Sequence, residues 1–100
     1  MTVNTLLKEK LESVVKYLSD QPKNIWIRSE HPAIEYQATI SGIKFIIYSS
    51  VLTIEDTSGK EVFSSDKVSK LYEEITNYNL REKEIKQIVF LTDIKLKLNL

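Results

Sequence analysis

The only histidine of the chain, His31, has the side chain best suited to acid–base chemistry near neutral pH. It stands between Glu30 and Pro32, with Arg28 and Tyr36 close by in the sequence. A loop that joins a carboxylate, an imidazole and a guanidinium is compatible with a small hydrolase or nuclease. Because one histidine is about what chance supplies at this length, we favour a solvated loop histidine and keep the hydrolase or nuclease as an alternative.

The other residues that could do chemistry do not form a recognisable site. Glu55–Asp56 and Glu73–Glu74 are paired carboxylates, but adjacent side chains on a strand or helix point apart. The absence of cysteine excludes thiolate metal sites, and a phosphate-binding loop needs more than the two glycines present. We therefore expect no metal, no cofactor and no enzymatic activity.

Composition indicates one domain over residues 1–100. A chain of 100 residues with 42% apolar content can build a core without disulfides. The 14 basic and 14 acidic side chains leave no net charge, which disfavours nucleic acid as a partner. The N-terminus lacks the pattern of a secretory signal, and no run approaches the ~18 apolar residues of a membrane span. We expect a cytoplasmic protein that does not bind membranes.

Helical periodicity appears in two regions, 1–20 and 66–91. In the first, apolar residues recur at the spacing of one helical face, and the pattern stops at Asp20, just before Pro22. In the second, Ser65 offers an N-cap and the helix should reach about Thr76. Residues 77–79 then favour an interruption, so that a third helix follows from about residue 80 to 91, or else the second helix continues unbroken.

Residues 24–64 predict an antiparallel meander of four or five strands. The β-rich runs are 24–29, 34–40, 43–48, 51–56 and 60–64. Ser41–Gly42 indicates a two-residue hairpin turn, and residues 57–59 suit a three-residue loop that ends in glycine. Ser49–Ser50 offers no glycine, so either a tight turn or a bent continuous strand is possible there.

These turns predict which side chains share a face of the sheet. Tight turns place Phe45 opposite Ile54, and the three-residue loop places Ile54 opposite Val62. One face then becomes continuously apolar and forms the core beneath the helices.

The second face of the predicted sheet is mostly polar but includes residue types that are common in binding hot spots. Trp26 and Arg28 join this face if Ile25 and Ile27 point to the core. Its candidate protein-binding residues are Trp26, Arg28, Lys44, Ile46, Tyr48 and Phe63. Three alternatives remain: the tail or a helix covers the face, Trp26 points inward, or the aromatic side chains stack on single-stranded nucleic acid.

The last residues, 92–100, form a tail in which apolar and polar residues alternate. Ile94, Leu96 and Leu98 lie on one side of this pattern, which is typical of a strand. Such a strand would close the protein's own sheet or pair with another molecule. The fold class is therefore α+β: an N-terminal helix, the meander, one or two C-terminal helices on one sheet face and a possible short C-terminal strand.

These patterns favour a non-enzymatic protein–protein interaction module. The polar-aromatic sheet face and the C-terminal strand would provide its binding surfaces. The partner would be another protein, as for an adaptor or inhibitor, or a second copy of the chain in a homodimer.

Overall fold

The computed structural model describes residues 2–30 and 33–100 and contains nine helical and strand elements. In chain order they are α1 (Val3–Asp20), a short 3₁₀ turn (Lys23–Ile25), β1 (Ile27–Ser29), β2 (Glu35–Ile40), β3 (Ile43–Tyr48), β4 (Val51–Asp56), β5 (Gly59–Ser64), α2 (Asp66–Tyr78) and α3 (Glu82–Lys97). The five strands form one antiparallel sheet in sequence order. The predicted α+β fold, with its N-terminal helix and meander sheet, is confirmed.

Helix α1 follows the predicted amphipathic pattern. The Thr2 hydroxyl caps its start by accepting a hydrogen bond from the Thr5 backbone N–H. Gln21 leaves the helix with extended backbone angles, as expected for a residue that precedes Pro22. The apolar face of the C-terminal half packs into the core, where Val15 and Leu18 are buried.

The β2–β3 and β3–β4 hairpins have the predicted register. Ile40 pairs with Ile43 across the first turn, and Phe45 pairs with Ile54 in the second hairpin. Ser49 supplies the left-handed conformation of the second turn, with φ of 52°, although the turn has no glycine. A tight turn therefore joins β3 to β4, and the alternative of a bent continuous strand is wrong.

The predicted register of β5 is shifted by one residue. Asp56 pairs directly with Gly59, so the connecting loop has two residues instead of three. The Asp56 carboxylate closes this loop by accepting hydrogen bonds from the backbone N–H groups of Ser58 at 2.8 Å and Gly59 at 3.0 Å. Because neighbouring side chains on a strand alternate, the shift moves Phe63 to the core face and Val62 to the opposite face.

The core lies between one sheet face and the helices α1 and α2. We call these elements together the body, and the sheet face away from the two helices the outer face. Tyr36, Ile47 and Leu52 reach into the core from the sheet, while Leu71 and Ile75 reach into it from α2. The Tyr36 ring also meets the ring of Tyr72 edge-on, with centroids 5.7 Å apart.

Helix α2 ends at Tyr78, so the predicted interruption is confirmed. The Asn79 side-chain amide donates a hydrogen bond to the Ile75 carbonyl at 2.8 Å, and the Asn79 backbone N–H donates to the same carbonyl. The Asn79 backbone N–H also donates to the Thr76 carbonyl at 3.1 Å, so Asn79 satisfies two carbonyl groups in the last turn of α2.

Helix α3 begins at Glu82 and continues to Lys97, so the strand predicted from residue 94 onward is wrong. Lysine and leucine, which produced the alternating pattern, are both good helix formers. Lys95 and Lys97 also lie in the last turn, where positive charge favours a helix. The helix that begins at Glu82 therefore continues through the alternating residues.

Helix α3 extends away from the body. None of its residues is buried. The radius of gyration is 16.4 Å, compared with roughly 13 Å for a compact domain of this size. The longest dimension of the molecule, 52 Å, reflects this extension.

Candidate interaction surface

Three predicted binding residues lie on the outer face, as expected. Lys44 lies opposite Glu55, and its Nζ atom is 3.8 Å from the carboxylate. Ile46 lies opposite Thr53, and half-exposed Tyr48 lies opposite Val51. The ion pair gives Lys44 a partner of opposite charge within the sheet.

The other three residues predicted for this face lie on the core side. Ile27 pairs with Gln37 on the outer face, which turns the next residue, Arg28, toward the core. Trp26 is buried, with 3% of its surface exposed, as in the alternative that it points inward. Phe63 lies opposite Leu52 because of the shifted register of β5.

The outer face carries scattered apolar side chains and not one continuous patch. Ile27 is 72% exposed on β1, and Val62 is 59% exposed on β5, at opposite edges of the sheet. Between them, next to Tyr48, runs a shallow groove. It is lined by Ala33, Glu35, Ile46, Tyr48, Val51 and Thr53. Because these groups are interspersed with polar residues, the face resembles an ordinary solvated sheet surface.

Among the described elements, α3 carries the most exposed large apolar side chains. Its apolar side chains form two stripes on opposite sides of the helix, at the i, i+3, i+4 and i+7 spacing of a helical face. The leucine stripe consists of Phe90, Leu91, Ile94 and Leu98, which caps the helix end. The isoleucine stripe consists of Ile85, Ile88, Val89 and Leu96. Phe90 is 64% and Leu91 is 61% exposed, so these side chains have no cover within the described chain.

Two charged strips separate the apolar stripes. One strip contains two ion pairs at i,i+4 spacing: Lys86 Nζ lies 3.1 Å from Glu82, and Lys97 Nζ lies 3.0 Å from Asp93. The other strip contains Glu84 and Lys95. Each apolar stripe is therefore bordered on both sides by charged residues, the usual arrangement of a helix that binds through one face.

A salt-bridge network holds the first turn of α3 to the body. The Arg28 guanidinium donates two hydrogen bonds to the Glu84 carboxylate, from Nη1 at 2.9 Å and Nη2 at 3.2 Å. Arg28 also pairs with Glu30 at 3.3 Å, and Arg81 pairs with Glu30 at 3.0 Å. Such a bidentate pair fixes orientation as well as distance. Arg28, predicted as a binding residue, thus positions α3.

The same network shifts the pKa values of its members. The hydrogen bonds from Arg28 are the main reason why the pKa of Glu84 lies below its ordinary value. In turn, the hydrogen bond to Glu84 raises the pKa of the Arg28 guanidinium. Both shifts favour the charged forms and so the ion pair.

The structure gives no support to the hydrolase or nuclease alternative. His31 lies outside the described residues. Of the three groups proposed to act with it, Arg28 and Glu30 are engaged in ion pairs with Glu84 and Arg81, and Tyr36 is fully buried. Across residues 2–30 and 33–100 there is no group of three or more side chains arranged as metal ligands. None of the helices described there is long and apolar enough to cross a membrane.

The chain matches no protein-family model, no curated protein and no solved structure.

The sequence predicted that the third helix ends near Leu91, so it did not identify α3 as an interaction surface. A signal was present: from Ile85 to Leu98 the apolar residues recur at helical spacing on two sides. The alternation of the last residues covered too short a segment to decide between a strand and a helix.

Proposed function

We propose that this protein is a non-enzymatic protein-interaction module that presents α3 as its docking helix. The observation that carries the proposal is that none of the sixteen residues of α3 is buried, although seven of them are apolar. Large exposed apolar patches on soluble proteins commonly mark binding sites.

The stability of isolated helices gives a physical reason for this proposal. Most of the stability of a helix in a protein comes from packing of its apolar face and not from helix propensity. Burial of an exposed leucine, isoleucine or phenylalanine against a partner contributes about 1.5–3 kcal/mol per side chain before binding costs are subtracted. A partner groove that covers one stripe would therefore stabilise α3 and gain affinity from the same contacts.

The ion pair of Arg28 with Glu84, which we call the tether, supports the proposal because it orients the helix. Arg28 and Glu84 hold the first turn against β1, while the two apolar stripes remain accessible along the rest of α3. A docking helix with a fixed starting direction loses less conformational freedom on binding than a free tail.

The proposed role is that of an adaptor or inhibitor in the cytoplasm. The absence of cysteine suits a reducing compartment. The groove beside Tyr48 on the outer face provides a second, smaller surface for a partner that extends beyond α3.

The test is capture of partners from source-cell extract by tagged full-length protein and three variants. Leu91→Glu and Ile88→Glu each place a charge on one stripe of α3. Val62→Glu is the matched control, because Val62 is as exposed as Leu91 but lies on the outer face. We expect wild type and the control to retain the same partner, and at least one α3 variant to retain about tenfold less.

Two outcomes would contradict the proposal. One is that the wild-type protein retains no partner and does not self-associate. The other is that all three variants retain the same proteins in the same amounts as wild type.

A further inference from the structure

The charges of α3 are arranged with opposite signs about the middle of the helix, which falls between Val89 and Phe90. Each charged residue of the first half except Lys83 has a residue of opposite charge at the same distance on the other side. The pairs are Glu82 with Lys97, Glu84 with Lys95, and Lys86 with Asp93.

The isoleucine stripe runs through the middle of the helix. Ile85, Ile88 and Val89 lie in the first half of α3, and Leu96 lies in the second half. The leucine stripe is confined to the second half, because the same side of the first half carries Lys83 and Gln87. Charges of opposite sign and apolar side chains of the isoleucine stripe therefore both lie on the two sides of the middle.

This pattern matches an antiparallel pair of identical helices. When two copies of a helix pack antiparallel about a two-fold axis, each residue lies at the height of its mirror position in the other copy. The two α3 helices would then place opposite charges at equal heights on both borders of the contact.

We propose that the partner of α3 is the α3 helix of a second copy of the chain, bound antiparallel through the isoleucine stripe. The proposal rests on the docking role of α3 and specifies its partner. The two-fold axis would pass beside Ile88 and Val89, the stripe residues nearest to the middle of the helix.

The position of the two stripes favours the isoleucine stripe. In an antiparallel pair through this stripe, Ile85 lies at a height between Thr92 and Leu96 of the partner subunit. The Thr92 hydroxyl donates a hydrogen bond to the Ile88 carbonyl of its own helix at 2.8 Å, so it needs no partner in the contact. In a pair through the leucine stripe, Ile94 would instead face polar residues, because Lys83 and Gln87 of the partner subunit lie at its height.

An antiparallel pair of α3 helices keeps the two bodies apart. The tether joins the body to the first turn of α3, so an antiparallel pair places the two bodies at opposite ends of the helix pair. With sixteen residues, α3 is about 24 Å long and about 10 Å wide, so its contact area is below the ~800 Å² per partner of a standard interface. We therefore expect a reversible dimer whose population rises with protein concentration.

The first test uses single cysteines, because the chain has none of its own. In the proposed dimer, two copies of Ile88→Cys lie about 4.5 Å apart along the helix axes, and two copies of Leu96→Cys about 20 Å apart. A disulfide requires Cα atoms within about 7 Å. We expect mild oxidation to link I88C into dimers at least about tenfold faster than L96C.

Similar linking rates for the two cysteine variants would indicate parallel or non-specific contact and overturn the antiparallel pairing. Light scattering that shows a monomer at every concentration for wild type would overturn self-association altogether. The proposed docking role would survive that second result if α3 variants still lost a captured partner, so the two proposals can fail separately.

The second test exchanges charges across the proposed interface. E82K/K86E keeps an opposite-charge pair within the helix but places like charges against Lys97 and Asp93 of the partner subunit. We expect the dimer to weaken by about tenfold, and adding D93K/K97E to restore it within about threefold. Circular dichroism of both variants checks that α3 remains helical. A four-residue exchange that stays as weak as E82K/K86E would overturn the pairing.

Discussion

The body and α3 contain similar apolar side chains but use them in opposite ways. In the body, Leu18, Ile47 and Ile75 are fully buried between the sheet and two helices. In α3, the apolar side chains remain exposed on two sides of a helix that is held only at its first turn in the described structure. The difference shows that apolar composition alone does not tell whether a segment builds the core or forms a surface.

The physical reason lies in how many faces each element must bury. Helices α1 and α2 each have one apolar face, which the sheet covers. Helix α3 has two apolar stripes separated by charged strips, so packing on the body would cover only one stripe and would bury charges at its edges. Its apolar surface is better matched to a partner than to its own sheet.

The largest expected effect is a contrast in stability between the two regions. Ile47→Ala should lower the free energy of unfolding by about 2–5 kcal/mol, because it leaves a cavity in the core. Leu91→Ala should change it by less than about 0.5 kcal/mol when the protein is dilute, because the side chain is exposed in the monomer. Urea unfolding of both variants at low protein concentration measures the difference.

Equal destabilisation by the two substitutions would contradict the stated difference between the body and α3. It would mean that α3 packs on the body in solution and belongs to the same cooperative unit.

A medium effect is expected at the tether. Arg28→Ala removes the bidentate pair with Glu84 and the contacts of the Arg28 methylene groups, which should cost about 1 kcal/mol. Amide hydrogen exchange should become faster in the first turn of α3 but stay unchanged in the strands β3 and β4. Arg28→Lys is the matched control, because it keeps the charge without the two parallel hydrogen bonds and should restore the protection only in part.

Unchanged exchange in the first turn of α3 with Arg28→Ala would show that the helix does not depend on this ion pair. The orientation of α3 would then have to come from the chain connection through residues 79–81.

The smallest effect is a loss of the tether in acid. The pKa of Glu84 is lower in the folded protein than in the unfolded chain, chiefly because Arg28 donates hydrogen bonds to it. Its stabilising contribution is therefore complete above the ordinary pKa of glutamic acid and is lost as the pH falls through the lowered value. Amide chemical shifts in the first turn of α3, followed during an acid titration, should report this loss.

Glu84→Gln is the control for the acid titration. It should remove this titration step while leaving the shifts of the strands as they are in wild type. A step that persists in Glu84→Gln would assign the acid sensitivity to another carboxylate.

Local signals predicted much of the fold. The end of α1 follows from Pro22, and the first hairpin follows from Ser41–Gly42. The interruption after α2 follows from the asparagines at 77 and 79. Each of these features depends on residues that lie within a few positions of one another. The order and type of the body's elements could therefore be predicted from the sequence.

Two outcomes at the candidate surface could not be predicted in this way. The sheet face on which Val62 or Phe63 lies depends on whether the loop between β4 and β5 has two or three residues. The hydrogen bonds accepted by Asp56 stabilise the loop of two residues. The side on which Trp26 and Arg28 lie depended on the pairing of β1 with β2. Both are questions of strand register, and no local composition signal distinguished the two answers.

By itself, the sequence determined the α+β class, the meander order and the apolar face of each element in the centre of the body, because local periodicity and turn chemistry act over a few residues. Only the tertiary structure decided the register of β5, the inward position of Trp26 and the extension of α3 away from the core. The register of β5 depends on the turn amides that Asp56 accepts hydrogen bonds from, which suit a loop of two residues. The other two depend on contacts between different elements, Ile27 with Gln37 and Arg28 with Glu84. Such contacts form only when the elements have packed together.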